Sequence, residues 1–120
     1  MFKIYLIKEI KMKIAVAGSR TVRKIGLDEV IPKYCTEIVS GGARGVDSEA
    51  AAWARSHDIP LVEFLPDYKR YGRAAPIKRN EAIAKYADEL IAFWDGQSKG
   101  TESTINFFKK AGKKVTIFIR

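Results

Sequence analysis

Residues 40–47, SGGARGVD, have the composition of an anion-binding turn. They follow a short apolar run and precede an alanine-rich segment that predicts a helix. A glycine-rich turn between a strand and a helix exposes backbone N–H groups at the positive end of the helix dipole, which suits a phosphate. Arg44 adds a guanidinium that matches phosphate oxygens. We therefore predict phosphate contacts from Ser40, Gly41, Gly42, Ala43, Arg44, Gly45 and Asp47.

A second turn of this kind, DGQSKGT at residues 95–101, also precedes a predicted helix. Its two glycines let a ligand approach the backbone closely, and its threonine hydroxyl can cap the helix or contact the ligand. Further hydroxyl, amide and cationic groups occur at residues 18–20 and 79–80. The candidate set is completed by Gly18, Ser19, Arg20, Arg79, Asn80, Asp95, Gly96, Ser98, Gly100 and Thr101.

Two other interpretations of the first turn stay open. The turn nearly matches the dinucleotide fingerprint GxGxxG, with Ser40 in the place of the first glycine, and Glu63 lies about twenty residues on, where a ribose-binding acid is expected. That match is weak, because the turn follows the second convincing strand. Alternatively, the glycines serve only a tight turn, which leaves Arg44 without a role.

Alternating apolar runs and helical patterns surround these turns. Strands are predicted at residues 14–17, 37–40, 61–64, 90–94 and 115–119. Helices are predicted at residues 27–31, at 47–56 with Asp47 as N-cap, at 76–87 with Pro76 in the first position, and from Thr101 as cap to Gly112. A loop is expected at residues 65–75.

This alternation predicts right-handed βαβ units, and so an α/β fold: a single Rossmann-like three-layer sandwich with a mostly parallel sheet. All candidate turns follow strands. The carboxyl ends of parallel strands lie at one edge of a sheet, where ligands bind near the topological switch point. We therefore expect the turns to form one site.

Composition sets broad limits. The 120 residues suit one domain, and 22 Lys and Arg against 14 acids give a net charge of +8. Such a charge favours nucleotides or nucleic acid as partners, although a solvated lysine-rich surface gives the same value. Cys35 is the only cysteine, so no internal disulfide forms, and a buried thiol in a cytoplasmic protein is expected. No metal or cofactor is predicted, since no His, Cys or acidic residues have metal-ligand spacing.

Residues 1–11 (MFKIYLIKEIK) are apolar but interrupted by lysines, which is too short and too charged for a signal peptide or a membrane span. They are either an added edge strand, with Phe2, Ile4 and Leu6 on one face, or a segment before a natural start at Met12. We expect this extension to precede one domain at residues 12–120, with no membrane contact.

The four motifs, at residues 17–20, 40–47, 79–80 and 95–101, together resemble the SLOG superfamily. That superfamily unites the DNA-processing protein A (Smf) domain with the LOG, or lysine-decarboxylase-like, proteins. The resemblance is greatest to the small stand-alone YspA, cpYpsA-related proteins (DUF2493), and covers nearly all of residues 12–119.

The resemblance implies a Rossmann-like sheet whose glycine loops bind a nucleotide-derived ligand, such as an ADP-ribose derivative, or nucleic acid. DNA-processing protein A binds single-stranded DNA, and Tyr68 and Tyr71 here are able to stack on bases or to pack as a lid. LOG proteins hydrolyse nucleoside monophosphates with an arginine, for which Arg79 could stand, and a glutamate, whose position holds Thr104 here. Glu102 is two residues away and so rotated by about 200° on a helix.

These observations rank three hypotheses. A cytoplasmic nucleotide-binding or nucleotide-sensing domain comes first, single-stranded nucleic-acid binding second, and phosphoribohydrolysis third. The catalytic residues of any reaction are unknown, and a homo-oligomer is compatible with the sequence.

Overall fold

The computed structural model describes residues 11–22, 25–42 and 45–120. One five-stranded sheet is built from β1 (Lys13–Gly18), β2 (Glu37–Ser40), β3 (Leu61–Glu63), β4 (Glu89–Trp94) and β5 (Lys114–Ile119). The strand order is β3-β2-β1-β4-β5, and all neighbours run parallel. The predicted α/β Rossmann-like fold is therefore confirmed. The order reverses between β1 and β4, which is the topological switch point.

Helices cover both faces of the sheet because strand side chains alternate between them. The helices are α1 (Leu27–Val30), α2 (Val46–Ser56), α3 (Tyr68–Tyr71), α4 (Ala75–Tyr86) and α5 (Lys99–Lys110), with a 3₁₀ turn at Gly72–Ala74. One core layer joins the first two helices to Ile14, Val16, Ile38, Ile91 and Phe93. The other joins α4 and α5 to Ala15, Val39, Leu90 and Ala92. Each layer is built from buried apolar side chains.

The structure corrects two predicted helix starts and one predicted loop. α2 begins at Val46, one residue early, because Gly45 turns the chain with a φ of 77°. Asp47 therefore lies in the first turn and is not the cap. α5 begins at Lys99 with Ser98 as its cap, so Thr101 is not the cap. The predicted loop at residues 65–75 contains α3 and the 3₁₀ turn, because Asp67 accepts a hydrogen bond from the Arg70 amide.

Two further expectations concern Cys35 and the amino-terminal segment. Cys35 is buried, as predicted, and burial raises the pKa of its thiol. Residues 1–10, including the predicted edge strand, lie outside the described residues. Among the helices of the described ranges, none combines the length and the apolar character that crossing a bilayer requires.

Candidate functional site

A cleft of about 440 Å³ opens at the carboxyl ends of the strands, across the switch point between β1 and β4. Its floor is apolar, with Ala15, Ala17 and Ile83 among its residues, and its rim is polar. The predicted residues that line it are Gly18, Ser19, Arg20, Gly41, Asp47, Arg79, Asn80, Asp95, Ser98, Gly100 and Thr101. The expectation that turns distant in sequence would gather at this edge is thus met by the geometry.

Ser19 joins the two central strands where the sheet order reverses. It is buried, its amide donates to the Phe93 carbonyl at 3.0 Å, and its Oγ accepts from the Asp95 amide at 3.2 Å. The hydroxyl of Thr21 donates to Asp95 Oδ2 at 3.2 Å. The turn after β1 is therefore held against the turn after β4, and the two form one wall of the cleft.

Asp95 shapes its own turn through its carboxylate. Asp95 Oδ1 accepts from the amides of Ser98 at 2.7 Å and Gln97 at 2.9 Å. These two amides hold the pKa of the Asp95 carboxyl below its usual range. Hydrogen bonds to the charged form favour it, so Asp95 is a fixed anion at neutral pH. A carboxylate stabilised in this way is a poor general base.

The amino end of α5 follows this turn directly and also lines the cleft. The Ser98 hydroxyl accepts from the Thr101 amide at 3.4 Å and lies 3.3 Å from the Thr101 hydroxyl. The Ser98 carbonyl accepts from the Trp94 indole at 3.1 Å. Thr104, one turn later, donates its hydroxyl to the Gly100 carbonyl at 3.1 Å. The first amides of a helix have no intrahelical acceptor, so this end presents partial positive charge to the cleft.

Arg79 and Asn80 connect the two glycine turns. Arg79 Nη1 donates to the Gly41 carbonyl at 2.7 Å, and Arg79 Nε donates to the Asn80 side-chain oxygen at 2.8 Å. Asn80 is buried and donates through Nδ2 to the Gly100 carbonyl at 3.4 Å. This pair in the second turn of α4 therefore links the turn after β2 to the turn after β4.

Close packing leaves little room for a side chain at two glycines of this edge. A Cβ at Gly41 would lie 2.6 Å from Arg79 Nη1, and a Cβ at Gly18 would lie 2.4 Å from Val46 Cγ2. Gly18 thus allows the start of α2 to approach β1. Gly100 differs, since a Cβ there would meet no described atom within 4 Å. Its Cβ position therefore has open space around it, and the residue lines the cleft.

The charges around the cleft are mixed. Arg20 and Arg79 bring positive charge, while Asp95 and the buried Asp47, in the first turn of α2, bring carboxylates. Cations and a helix end attract an anion, whereas carboxylates accept hydrogen bonds from hydroxyl groups. The arrangement suits a ligand that carries both an anionic group and hydroxyls.

Some predicted residues lie away from the cleft. Ser40 is fully buried below it, and its hydroxyl accepts from the Gly42 amide at 3.2 Å. Gly42, Gly45 and Gly96 shape the turns with φ values of 71°, 77° and 81° and do not line the cleft. The predictions for Ala43 and Arg44 fall outside the described residues. Glu63, the ribose acid of the dinucleotide interpretation, is exposed at the end of β3 and does not line the cleft either.

The prediction missed several lining residues. Thr21, Pro76, Ile83 and Thr104 all contribute to the cleft. The position of Thr104, three residues after Thr101 and therefore on the same face of a helix, was available from the sequence. Ile83 is a buried residue of the core layer that also lines the cleft, and helical periodicity does not reveal this second position.

The comparisons with known proteins show the family and the fold. A family model described as "YspA, cpYpsA-related SLOG family" matches residues 12–71. The chain belongs to this family. "Gene 61 protein" of Mycobacterium phage D29 is 35% identical over 91 residues, which cover 71% of this chain and 73% of that protein. The SLOG resemblance stated from the motifs is therefore confirmed.

A solved structure extends the agreement to the fold. DNA processing protein A from Streptococcus pneumoniae superposes with a TM-score of 0.73 at 21% identity. The match covers 91% of this SLOG-family chain but 50% of the other, so the chain spans half the length of that neighbour. At this identity, the likeness concerns the fold.

Proposed function

We propose that the protein binds a nucleotide or a nucleotide derivative, such as an ADP-ribose-like molecule, in the cleft at the switch point. The observation that carries the proposal is the mixed lining of that cleft. Arginines and a helix amino end suit phosphate, Asp47 and Asp95 suit ribose hydroxyls, and the apolar floor suits a base. Its volume of about 440 Å³ is within the range of small-molecule sites.

The proposed arrangement assigns each ligand part to a wall. The phosphate lies between Arg20 and the Gly100–Thr101 backbone, where the α5 dipole favours negative charge. Arg44, assigned from the sequence alone, stays a predicted phosphate contact. Arg79 has a different part, because its guanidinium holds Gly41 and Asn80 in place. The buried thiol of Cys35 is compatible with the cytoplasm that we infer for the protein.

Binding is proposed here in preference to hydrolysis. Thr104 stands where the resemblance implies a catalytic glutamate, and its hydroxyl is bonded to the Gly100 carbonyl. Glu102 does not line the cleft and forms an ion pair with Lys99 at 3.8 Å. Asp95 has a lowered pKa. Among the described residues of the cleft, therefore, the support for a nucleotide is stronger than the support for a reaction.

Single-stranded nucleic acid is the second candidate ligand. The net charge of +8 favours a polyanion, and the structural neighbour is named as a DNA processing protein. A nucleotide of a strand and a free nucleotide would make the same contacts in the cleft. Affinity for a strand, unlike that for a mononucleotide, should fall steeply with salt.

Isothermal titration calorimetry tests the first proposal. Nucleoside monophosphates, nucleoside diphosphates and ADP-ribose are titrated against the wild type, Arg20→Gln and a control of equal charge change, Arg55→Gln. Arg55 is exposed near the far end of α2, about 13 Å along the helix from the cleft. We expect Arg20→Gln alone to weaken binding about tenfold, as for one charged contact. Absence of binding at millimolar concentration, or equal affinities of the two variants, would contradict the proposal.

A further inference from the structure

A second surface beside the cleft combines exposed rings and cations. It is formed by residues 65–78, here called the basic–aromatic segment, which contain α3, the 3₁₀ turn and the start of α4. Tyr68 is 61% exposed and Tyr71 37% exposed. Lys69, Arg70, Arg73 and Lys78 are exposed around them. Two exposed rings that lie among cations form a surface that a ligand with apolar rings and negative charge would cover.

The charge of this segment is strongly positive. Its four cationic side chains stand against one acid, Asp67. The Asp67 carboxylate accepts from the Arg70 amide at 3.1 Å and so is engaged as the cap of α3. The guanidinium of Arg70 lies 5.2 Å from the Tyr71 ring centroid, and the ammonium of Lys78 lies 5.8 Å from it. The Tyr71 ring and these two cations are therefore close enough to contact the base and the phosphate of one nucleotide.

The segment is continuous with the cleft. Leu65 lies over the turn after β2, since a Cβ at Gly42 would be 2.6 Å from Leu65 Cδ2. At its other end Pro76 lines the cleft, and Arg79 follows directly on α4. Ala75 between them is fully buried and anchors the segment to the fold. Tyr68 and Tyr71 therefore lie in the stretch of chain between these two positions.

We infer that the basic–aromatic segment binds single-stranded nucleic acid, and that the strand continues from a nucleotide in the cleft onto Tyr68 and Tyr71. Unpaired bases stack on exposed aromatic rings, while neighbouring cations neutralise the phosphates. Duplex DNA is not the expected ligand, because its bases are already stacked on each other. The placement of the first nucleotide rests on the proposed function, but the contacts of the following nucleotides do not.

Fluorescence anisotropy with a short labelled oligothymidylate tests the inference. The variants are Tyr68→Ala/Tyr71→Ala and Arg70→Gln/Lys78→Gln, and Tyr68→Phe/Tyr71→Phe keeps the rings. Lys109→Gln/Lys110→Gln is the charge-matched control, because both lysines are exposed in the last turn of α5. Thermal unfolding of each variant checks that these surface changes leave the fold intact.

We expect the double alanine variant to weaken strand binding by more than about tenfold, since each stacked base contributes measurably. The phenylalanine variant should bind like the wild type. Arg70→Gln/Lys78→Gln should reduce the slope of log affinity against log salt by about 1.4, because it removes two cations and single strands release about 0.7 counterion for each phosphate contact. The α5 control should leave that slope nearly unchanged.

Three outcomes would overturn the inference: strand affinity equal to that for thymidine monophosphate, equal losses in the segment variants and the α5 control, or equally tight binding of polyglutamate. Calorimetry with mononucleotides separates this inference from the proposed function. If mononucleotides bind but strands gain nothing, the inference fails and the cleft proposal stands. If strands bind through the tyrosines but mononucleotides do not bind, the cleft proposal fails and the segment stands.

Discussion

At the scale of single residues, the Arg79 side chain fills the space beside Gly41. A Cβ at Gly41 would lie 2.6 Å from Arg79 Nη1, and the same nitrogen donates to the Gly41 carbonyl. The two residues are 38 positions apart, and the glycine has no unusual backbone angle that would reveal the need for it. The turn after β2 is therefore held by a partner from the other face of the sheet, which also contacts Asn80.

Gly100 offers a test in which stability and binding move in opposite directions. It is a glycine in the first turn of α5 with no described atom near its Cβ position. We expect Gly100→Ala to raise the free energy of unfolding by up to about 1 kcal/mol, because alanine favours helix. The same methyl group should weaken nucleotide binding, since the proposed phosphate lies against this backbone. Urea denaturation and calorimetry measure the two effects.

Gly112→Ala is the control for this prediction. Gly112 also has open space around it, but its φ is 71°, so alanine there should destabilise the protein without changing nucleotide affinity. Unchanged affinity in Gly100→Ala would place the phosphate elsewhere in the cleft.

Asp95 gives a prediction at acid pH. The Ser98 and Gln97 amides lower the pKa of its carboxyl, so the folded state favours the charged form. Its contribution to stability is therefore present above the ordinary carboxyl pKa of about 3.9 and is lost as the pH falls through the lower folded value. Asp95→Asn keeps an oxygen acceptor but removes the titration. Its unfolding free energy should fall less steeply than that of the wild type below about pH 4.

A carboxyl-resonance NMR titration of Asp95 checks this directly. A midpoint at or above the ordinary carboxyl pKa of about 3.9 would contradict the assignment of the two amide hydrogen bonds.

At the scale of elements, the end of α4 depends on a lysine from outside the helix. Lys113, just before β5, donates through Nζ to the carbonyls of Ala84 and Ala87 at 2.6 Å each, and to Lys85 at 3.2 Å. Those carbonyls have no amide partners within the helix, and they form the negative end of its dipole. One ammonium group thus fixes the carboxyl end of the helix that carries Arg79 and Asn80.

Lys113→Met should lower the free energy of unfolding by about 1–2 kcal/mol, because it removes charged hydrogen bonds to the helix end. Lys110→Met, in the exposed last turn of α5, loses only a dipole interaction of about 0.3–1 kcal/mol. Urea denaturation of both variants measures the difference. A loss in Lys113→Met no larger than in Lys110→Met would show that the ammonium bonds add nothing.

The strands were predictable because apolar runs bounded by glycine or proline define them, and β1, β4 and β5 lie within one residue of the predicted bounds. Helix starts were less predictable. Ser98 and Thr101 are both good caps in sequence, and the structure uses Ser98 because Asp95 binds its amide and fixes the turn. α3 was missed because four residues carry too little periodicity. The Arg79–Gly41 contact depends on tertiary packing that no local pattern contains.

At the scale of the whole molecule, carboxylates tie the layers together at the edge opposite the cleft. Buried Glu89, at the start of β4, accepts from the Tyr34 hydroxyl at 2.9 Å and pairs with Lys114 of β5 at 3.3 Å. Glu37 of β2 accepts from the Tyr86 hydroxyl at 2.5 Å. These bonds join the amino ends of the strands to the neighbouring helices and loops. The cleft lies at the opposite, carboxyl ends of the same strands.

This arrangement predicts sensitivity to alkali. The hydrogen bond to Glu89 raises the pKa of Tyr34 and that of Lys114, and the bond to Glu37 raises the pKa of Tyr86. A raised folded pKa means that the protonated form is favoured by folding, so these groups contribute fully below their ordinary pKa values, near 10. Their contribution is lost as the pH rises through the higher folded values.

The double variant Tyr34→Phe/Tyr86→Phe should therefore lose less stability above pH 10 than the wild type, as measured by urea denaturation across that range. Tyr68→Phe, an exposed tyrosine outside both clusters, should behave like the wild type. Identical alkaline loss in all three proteins would mean that the two carboxylates do not stabilise the protonated tyrosines.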